Sequence, residues 1–91
     1  MSHPCHKKLL PRLNRARGQV DGVVRMIESD RYCMDILTQL RAVRAALLKV
    51  EQEVLQTHLR ACLVDAATSG DAAEVERKVD EVAMALKRFG G

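Results

Sequence analysis

Apolar residues recur along this chain at the alternating three- and four-residue steps of an amphipathic helix, and no stretch shows the two-residue step of a strand. Leu9, Leu13, Ala16, Val20, Val23 and Ile27 form a first stripe. Pro4 and Pro11 limit where it starts, because proline fits only the first helical turn; regular helix is expected from Leu9 or Leu10. The stripe fades at Ser29-Asp30, a turn-prone pair. Ile36, Leu40, Val43, Leu47, Val50 and Val54 form a second stripe, in a segment from Arg31 to Ala67 that holds no Gly or Pro. Thr68-Ser69-Gly70 breaks it. Asp71, with Glu74 three residues on, has the form of a capping box, and Val75, Val79, Val82 and Leu86 mark a third helix ending before Gly90-Gly91. The reading is all-α: three helices in a single domain over residues 1–91, with residues 1–8 as a flexible tail. No helix-turn-helix, internal repeat or low-complexity tract is visible.

The second helix, roughly 50 Å long, overhangs a monomer of this size. Cys33, His58 and Cys62 extend its stripe with little drift. At 100° per residue, His58 lies about −20° and Cys62 about +20° in phase from Cys33, yet Cys33 and His58 are about 37 Å apart along the axis. One chain cannot bring them together. Two antiparallel copies can, with Cys33 of one meeting His58 and Cys62 of the other at two symmetric sites. Ala42, Ala45, Ala46 and Leu47 lie midway, where small residues permit a close crossing at a two-fold axis; alanine is also simply helix-favouring.

His58 and Cys62 are an i, i+4 pair, neighbours on one helix face. A buried Cys is often a small hydrophobe and a His on an apolar stripe a core residue. A third donor in phase favours a metal. Two thiolates and an imidazole suit Cu(I), which is soft and accepts low coordination. Zn(II) prefers four ligands. His3, Cys5 or His6 in the tail could supply another, and a nitrogen near the amino terminus could complete a Ni(II) site. A nickel, cobalt or zinc sensor therefore stays open. So does a thiol sensor in which Cys33 and Cys62 of neighbouring chains form a disulfide or polysulfide bridge. No acid–base or nucleophile arrangement points to an enzyme.

Only Tyr32 and Phe89 are aromatic, so the core is aliphatic. The apolar runs are too short to cross a membrane, and the N-terminus lacks the apolar stretch of a signal peptide. Three cysteines without an export signal suggest reduced thiols in a cytoplasm. The net charge of +3 is uneven: residues 1–49 hold ten Lys/Arg against four Asp/Glu, residues 50–91 five against eight. Lys8, Arg12 and Arg15 on the first helix and Arg41, Arg44 and Lys49 on the second make a candidate polyanion surface. With two aromatics, base stacking is disfavoured and duplex DNA fits better than a single strand. Alternatively, these cations only solvate the helices or pair locally with Asp21, Glu51 or Glu53.

Arg17-Gly18-Gln19-Val20, Asp30-Arg31-Tyr32-Cys33 with Asp35-Ile36-Leu37, and His58-Leu59-Arg60-Ala61-Cys62 together resemble the CsoR/RcnR family of bacterial metal-responsive repressors, over nearly the whole chain. A Cys-His-Cys triad at Cys33, His58 and Cys62 resembles its copper-sensing branch. A His in place of Cys62 would resemble the nickel/cobalt branch, and loss of His58 the persulfide-sensing branch. The formaldehyde-sensing branch fits poorly, because it lacks the last thiol and has proline where this chain has Ser2. The resemblance implies an antiparallel four-helix dimer core and a flat homotetramer built from two homodimers. It implies operator DNA bound in the metal-free form and released on Cu(I) binding. It places Tyr32 and a third-helix Glu beside the ligand histidine; alignment forward from Cys62 reaches Lys78, whereas alignment back from Leu86-Lys87-Arg88-Phe89 reaches Glu81, which is preferred. DNA-contacting cations fall at Arg12 and Lys49, with Arg15 and Arg17 as neighbours.

Overall fold

The computed structural model describes residues 5–90, and these form three α-helices with no strand among them. After a 3₁₀ turn at Lys7–Leu9, helix α1 spans Leu10–Glu28 with Pro11 in its first turn, where the missing N–H costs nothing. Helix α2 spans Cys33–Thr68 and helix α3 spans Ala72–Phe89. The expectations for the tail at His3 lie outside the described residues.

The link between α1 and α2 is a Schellman motif built on an aspartate. The N–H of Arg31 donates to the Met26 carbonyl at 3.0 Å and that of Asp30 to Ile27 at 3.2 Å. Asp30 takes a φ of 55°, the left-handed region usually reserved for glycine. This is why α2 begins two residues later than its pattern suggests: Arg31 is still closing α1, and the Tyr32 carbonyl accepts the first bonds, from Asp35 and Ile36. Asp30→Gly is expected to hold or raise the melting temperature, whereas Asp30→Val should cost about 1–2 kcal/mol in thermal unfolding, because a branched side chain resists this backbone.

At the other turn, Asp71 caps α3 through a 3.0 Å bond from the Ala73 N–H. The reciprocal half of the capping box does not form. Ser69 Oγ accepts the Asp71 N–H at 3.1 Å, and the Glu74 carboxylate instead pairs with Arg77. That hydrogen bond, helped by the Arg77 charge, holds the Glu74 carboxyl below its ordinary value.

The described residues fall into two compact units, Cys5–Gln52 and the segment from Glu53 onward, with α2 contributing to both. In the first, Leu9, Ala16 and Val23 of one face are buried together with Val43 of α2. The alternate members of the same stripe, Leu13, Val20 and Ile27, stay 41–58% exposed, as do Leu40 and Leu47 on α2 at 44–45%. Each stripe therefore spends half of its apolar surface inside the unit and leaves the rest open.

In the second unit, α3 turns inward a face rotated from its valine stripe. Lys78 is buried and Glu81 and Val82 are half-buried, while Val79 and Leu86 are exposed. The apolar stripe alone would place Val79 and Leu86 inside; the ion pair from Lys78 to Asp65 and the contact of the Glu81 carboxylate with His58 on α2 account for the difference.

Candidate functional site

His58 and Cys62 lie one turn apart on α2, and the Cys62 Sγ is 3.6 Å from the His58 Nε2. Glu81, on the inward face of α3, places its Oε1 3.1 Å from the same nitrogen. One ligand atom from each residue lies within 4.8 Å of the others, so a single ion could be held by nitrogen, sulfur and oxygen donors at this point. The carboxylate also orients the ring.

Cys62 is buried, 2% exposed. Burial pushes its thiol up from the ordinary value of 9.0, the Glu81 charge adds to this, and the Lys78 charge opposes it. A cleft of about 100 Å³ bordered by Cys62, Leu63, Ala66, Lys78, Val79 and Val82 adjoins the thiol.

Lys78 is the residue that sequence reasoning missed. It entered there only as a competing alignment for the third-helix acid. Its side chain is 8% exposed, with Nζ 3.7 Å from Asp65 Oδ2 and 3.5 Å from Glu81 Oε2. The available signal was its position on α3, three residues after Val75 and three before Glu81, on the face that turns inward. The carboxylate that reaches His58 is that of Glu81, the residue given by aligning backward from the C-terminus.

Cys33 is the first residue of α2 and its side chain is exposed, as is Tyr32 just before it. Neither belongs to the three-donor cluster, so within one chain only the His58–Cys62 part of the expected triad is assembled with Glu81. Cys5 is exposed, and His6 carries a buried Nδ1 without a hydrogen-bond partner among the described residues. Neither is among the three donors of the cluster.

The candidate cations separate into two groups. Arg12 and Arg15 of α1 and Lys49 of α2 border an open groove of about 420 Å³ together with Ala16, Gln19, Ala45 and Ala46. Two of the alanines that the sequence pattern places at a helix crossing, Ala45 and Ala46, line this groove, where short side chains leave room beside long basic ones. Arg17 donates from Nη2 to Asn14 Oδ1 at 2.7 Å on the exposed side of α1. Arg41 and Arg44 are exposed on α2 outside the groove. Among the described residues, no helix is long and apolar enough to cross a membrane.

Comparison with known proteins gives a consistent picture. A family model described as metal-sensitive transcriptional repressor matches residues 5–88. The copper-sensing transcriptional repressor CsoR of Bacillus subtilis strain 168 is 44% identical over 78 residues, spanning 86% of this chain and 74% of that protein. The nickel-responsive transcriptional regulator InrS superposes with a TM-score of 0.81 at 36% identity, covering 98% of this chain and 97% of that one. The copper-sensing repressor CsoR with Cu(I) from Geobacillus thermodenitrificans NG80-2 superposes with a TM-score of 0.74 at 34% identity, covering 100% and 95%.

Proposed function

The chain belongs to the CsoR/RcnR family of metal-sensitive transcriptional repressors, and from that premise we propose that it senses Cu(I) through Cys33, His58 and Cys62. In this reading residues 1–91 act as one metal-sensing and DNA-binding domain in the cytoplasm, paired as antiparallel dimers and assembled into a tetramer. Cys33 of one chain joins His58 and Cys62 of a second. The observation that carries the reading is the His58–Cys62 pair, with Glu81 on the ring nitrogen. It is half of a soft-metal site that lacks a second thiolate. Support for pairing comes from the exposed half of the α1 and α2 stripes, since contiguous apolar surface of this kind marks an interface.

Arg12, Arg15 and Lys49 neutralise phosphates of the operator duplex, with Arg17, Arg41 and Arg44 adding field around the groove. His58 stays oriented by Glu81, and Tyr32 stands next to Cys33 at the start of α2. Cu(I) ties the thiol of one chain to the imidazole and thiol of another, and so favours an arrangement of subunits whose basic grooves no longer match the duplex. By linkage, DNA weakens Cu(I) binding by the same factor that Cu(I) weakens DNA binding, typically about 5- to 150-fold. Anaerobic titration of free and operator-bound protein with Cu(I) tests this. Equal Cu(I) affinity in the two states would rule the mechanism out.

The raised Cys62 thiol sets a pH dependence. Below the raised value the thiol holds its proton, and a thiolate–metal bond must displace it. Cu(I) affinity should therefore rise with pH across the neutral range, by about tenfold per unit for this one proton. Competition titrations at several pH values check the slope, and a flat profile contradicts it.

The InrS likeness keeps a nickel, cobalt or zinc sensor in view, with His3, Cys5 or His6 as added ligands. Comparing DNA release by Ni(II) and by Cu(I), before and after removal of residues 1–6, separates the two. A thiol sensor acting through Cys33 and Cys62 would instead respond fully to oxidant in a His58→Ala protein.

A further inference from the structure

The cluster on α2 and α3 poses a selectivity problem. His58, Cys62 and Glu81 offer nitrogen, sulfur and oxygen donors within 4.8 Å of one another in a single chain. That mixed set is a cradle for a borderline divalent ion, and such an ion would need no second chain to begin binding. A copper sensor with this cluster open would be able to take up zinc as well.

Lys78 sits where it can prevent this. Its Nζ lies 3.5 Å from Oε2 of Glu81, while Oε1 of the same carboxylate faces His58. The ammonium is buried, 8% exposed, and is also anchored 3.7 Å from Asp65. It therefore stays beside the cluster instead of swinging into solvent. It borders the same cleft as Cys62.

We propose that Lys78 is a specificity residue of the metal centre: its fixed positive charge occupies the Glu81 carboxylate and repels a divalent ion from the His58–Cys62–Glu81 cradle. Coulomb repulsion grows with the charge of the incoming ion, so a nearby ammonium penalises a divalent ion about twice as much as a monovalent one. Glu81 is likewise kept as a hydrogen-bond partner of His58 and is not released as a ligand. The ligand class that remains is a soft monovalent ion held by sulfur and nitrogen. This inference rests on the proposed Cu(I) site and predicts that the site discriminates against zinc and cobalt.

The test measures Zn(II), Co(II) and Cu(I) affinities of the metal-free protein by competition with chelators, with the visible absorption of bound Co(II) reporting its ligands. Lys78→Met keeps an unbranched side chain and removes the charge. It is expected to raise Zn(II) and Co(II) affinity at least about tenfold, with a smaller change for Cu(I). Lys78→Arg, which keeps the charge, should retain the original selectivity. Adding Glu81→Gln to Lys78→Met should abolish the gain, since the carboxylate is the ligand being released. Lys78→Gln, which can still hydrogen-bond Asp65, provides the same comparison if the Met protein folds poorly. Unchanged or weaker Zn(II) binding in both neutral variants overturns the proposal, as does an Arg variant that behaves like Met. A lysine that merely joins α3 to α2 would alter thermal stability without moving the Zn(II)-to-Cu(I) ratio. If wild-type protein fails to release DNA with Cu(I), the sensing assignment fails; if it releases DNA but the variants keep their selectivity, only the Lys78 inference fails.

Discussion

Oligomers built from Cys33→Ala chains alone, or from Cys62→Ala chains alone, are expected to lose Cu(I)-triggered DNA release, and mixing the two is expected to restore part of it. At the proposed intersubunit site, each pure variant removes one thiolate. A three-coordinate soft ion reduced to two donors should bind at least 100-fold more weakly, beyond the roughly 10–100-fold cost of losing an outer hydrogen-bond partner. In a mixed antiparallel pair, Cys33 from the Cys62→Ala chain meets His58 and Cys62 from the Cys33→Ala chain. One site is then complete and the other lacks both thiols. Random pairing makes half of the dimers mixed, so the recovered high-affinity capacity should approach one quarter of wild type. A site held within one chain, or one that needs only His58, Cys62 and Glu81, would gain nothing from mixing.

The second large effect lies in the basic groove. Lys49→Ala is expected to weaken operator binding by about 10²-fold or more at moderate salt and to flatten its salt dependence. Each phosphate contact contributes a slope of about −0.9 in log affinity against log salt, or about tenfold between molar and tenth-molar salt. An oligomer that presents two to four copies of the groove to one duplex loses as many contacts with one substitution. The slope should therefore fall by about two to four units. Cu(I) affinity of the metal-free protein should be unchanged, because Lys49 lies far along α2 from Cys33 and belongs to a different unit from His58 and Cys62. Arg44→Ala, outside the groove, should have a smaller effect. If the two variants weaken binding equally and leave the slope intact, the groove is not the DNA-facing surface.

Local interactions were read well from the chain because they depend on near neighbours. Pro11 marks the start of α1, the Gly- and Pro-free stretch predicts the length of α2, and Asp71 marks the start of α3, all within a residue or two of the observed bounds. Two departures have local causes that composition hides. Asp30 performs the left-handed turn that a glycine would have announced. Ser69 takes the N–H that the capping-box reading assigned to Glu74. The facing of α3 departs from its apolar stripe for a longer-range reason. A hydrophobicity pattern counts Val79 and Leu86 as core and Lys78 as surface, but Lys78 is stabilised inside by two carboxylates, one of them on another helix.

The order of residues was sufficient to establish an all-helical chain, the phase of Cys33, His58 and Cys62 along one helix, and the uneven charge, since each follows from spacing and residue type. It was also sufficient for the family resemblance that the comparisons uphold. Folding added the contacts between helices. It chose Glu81 as the carboxylate on His58, drew Lys78 between Asp65 and Glu81, and joined Arg12, Arg15 and Lys49 along one groove. These depend on how α3 is rotated against α2 and α1 against α2. Such rotations are set by the balance of packing and ion pairing across the whole interface, which no short stretch of sequence encodes.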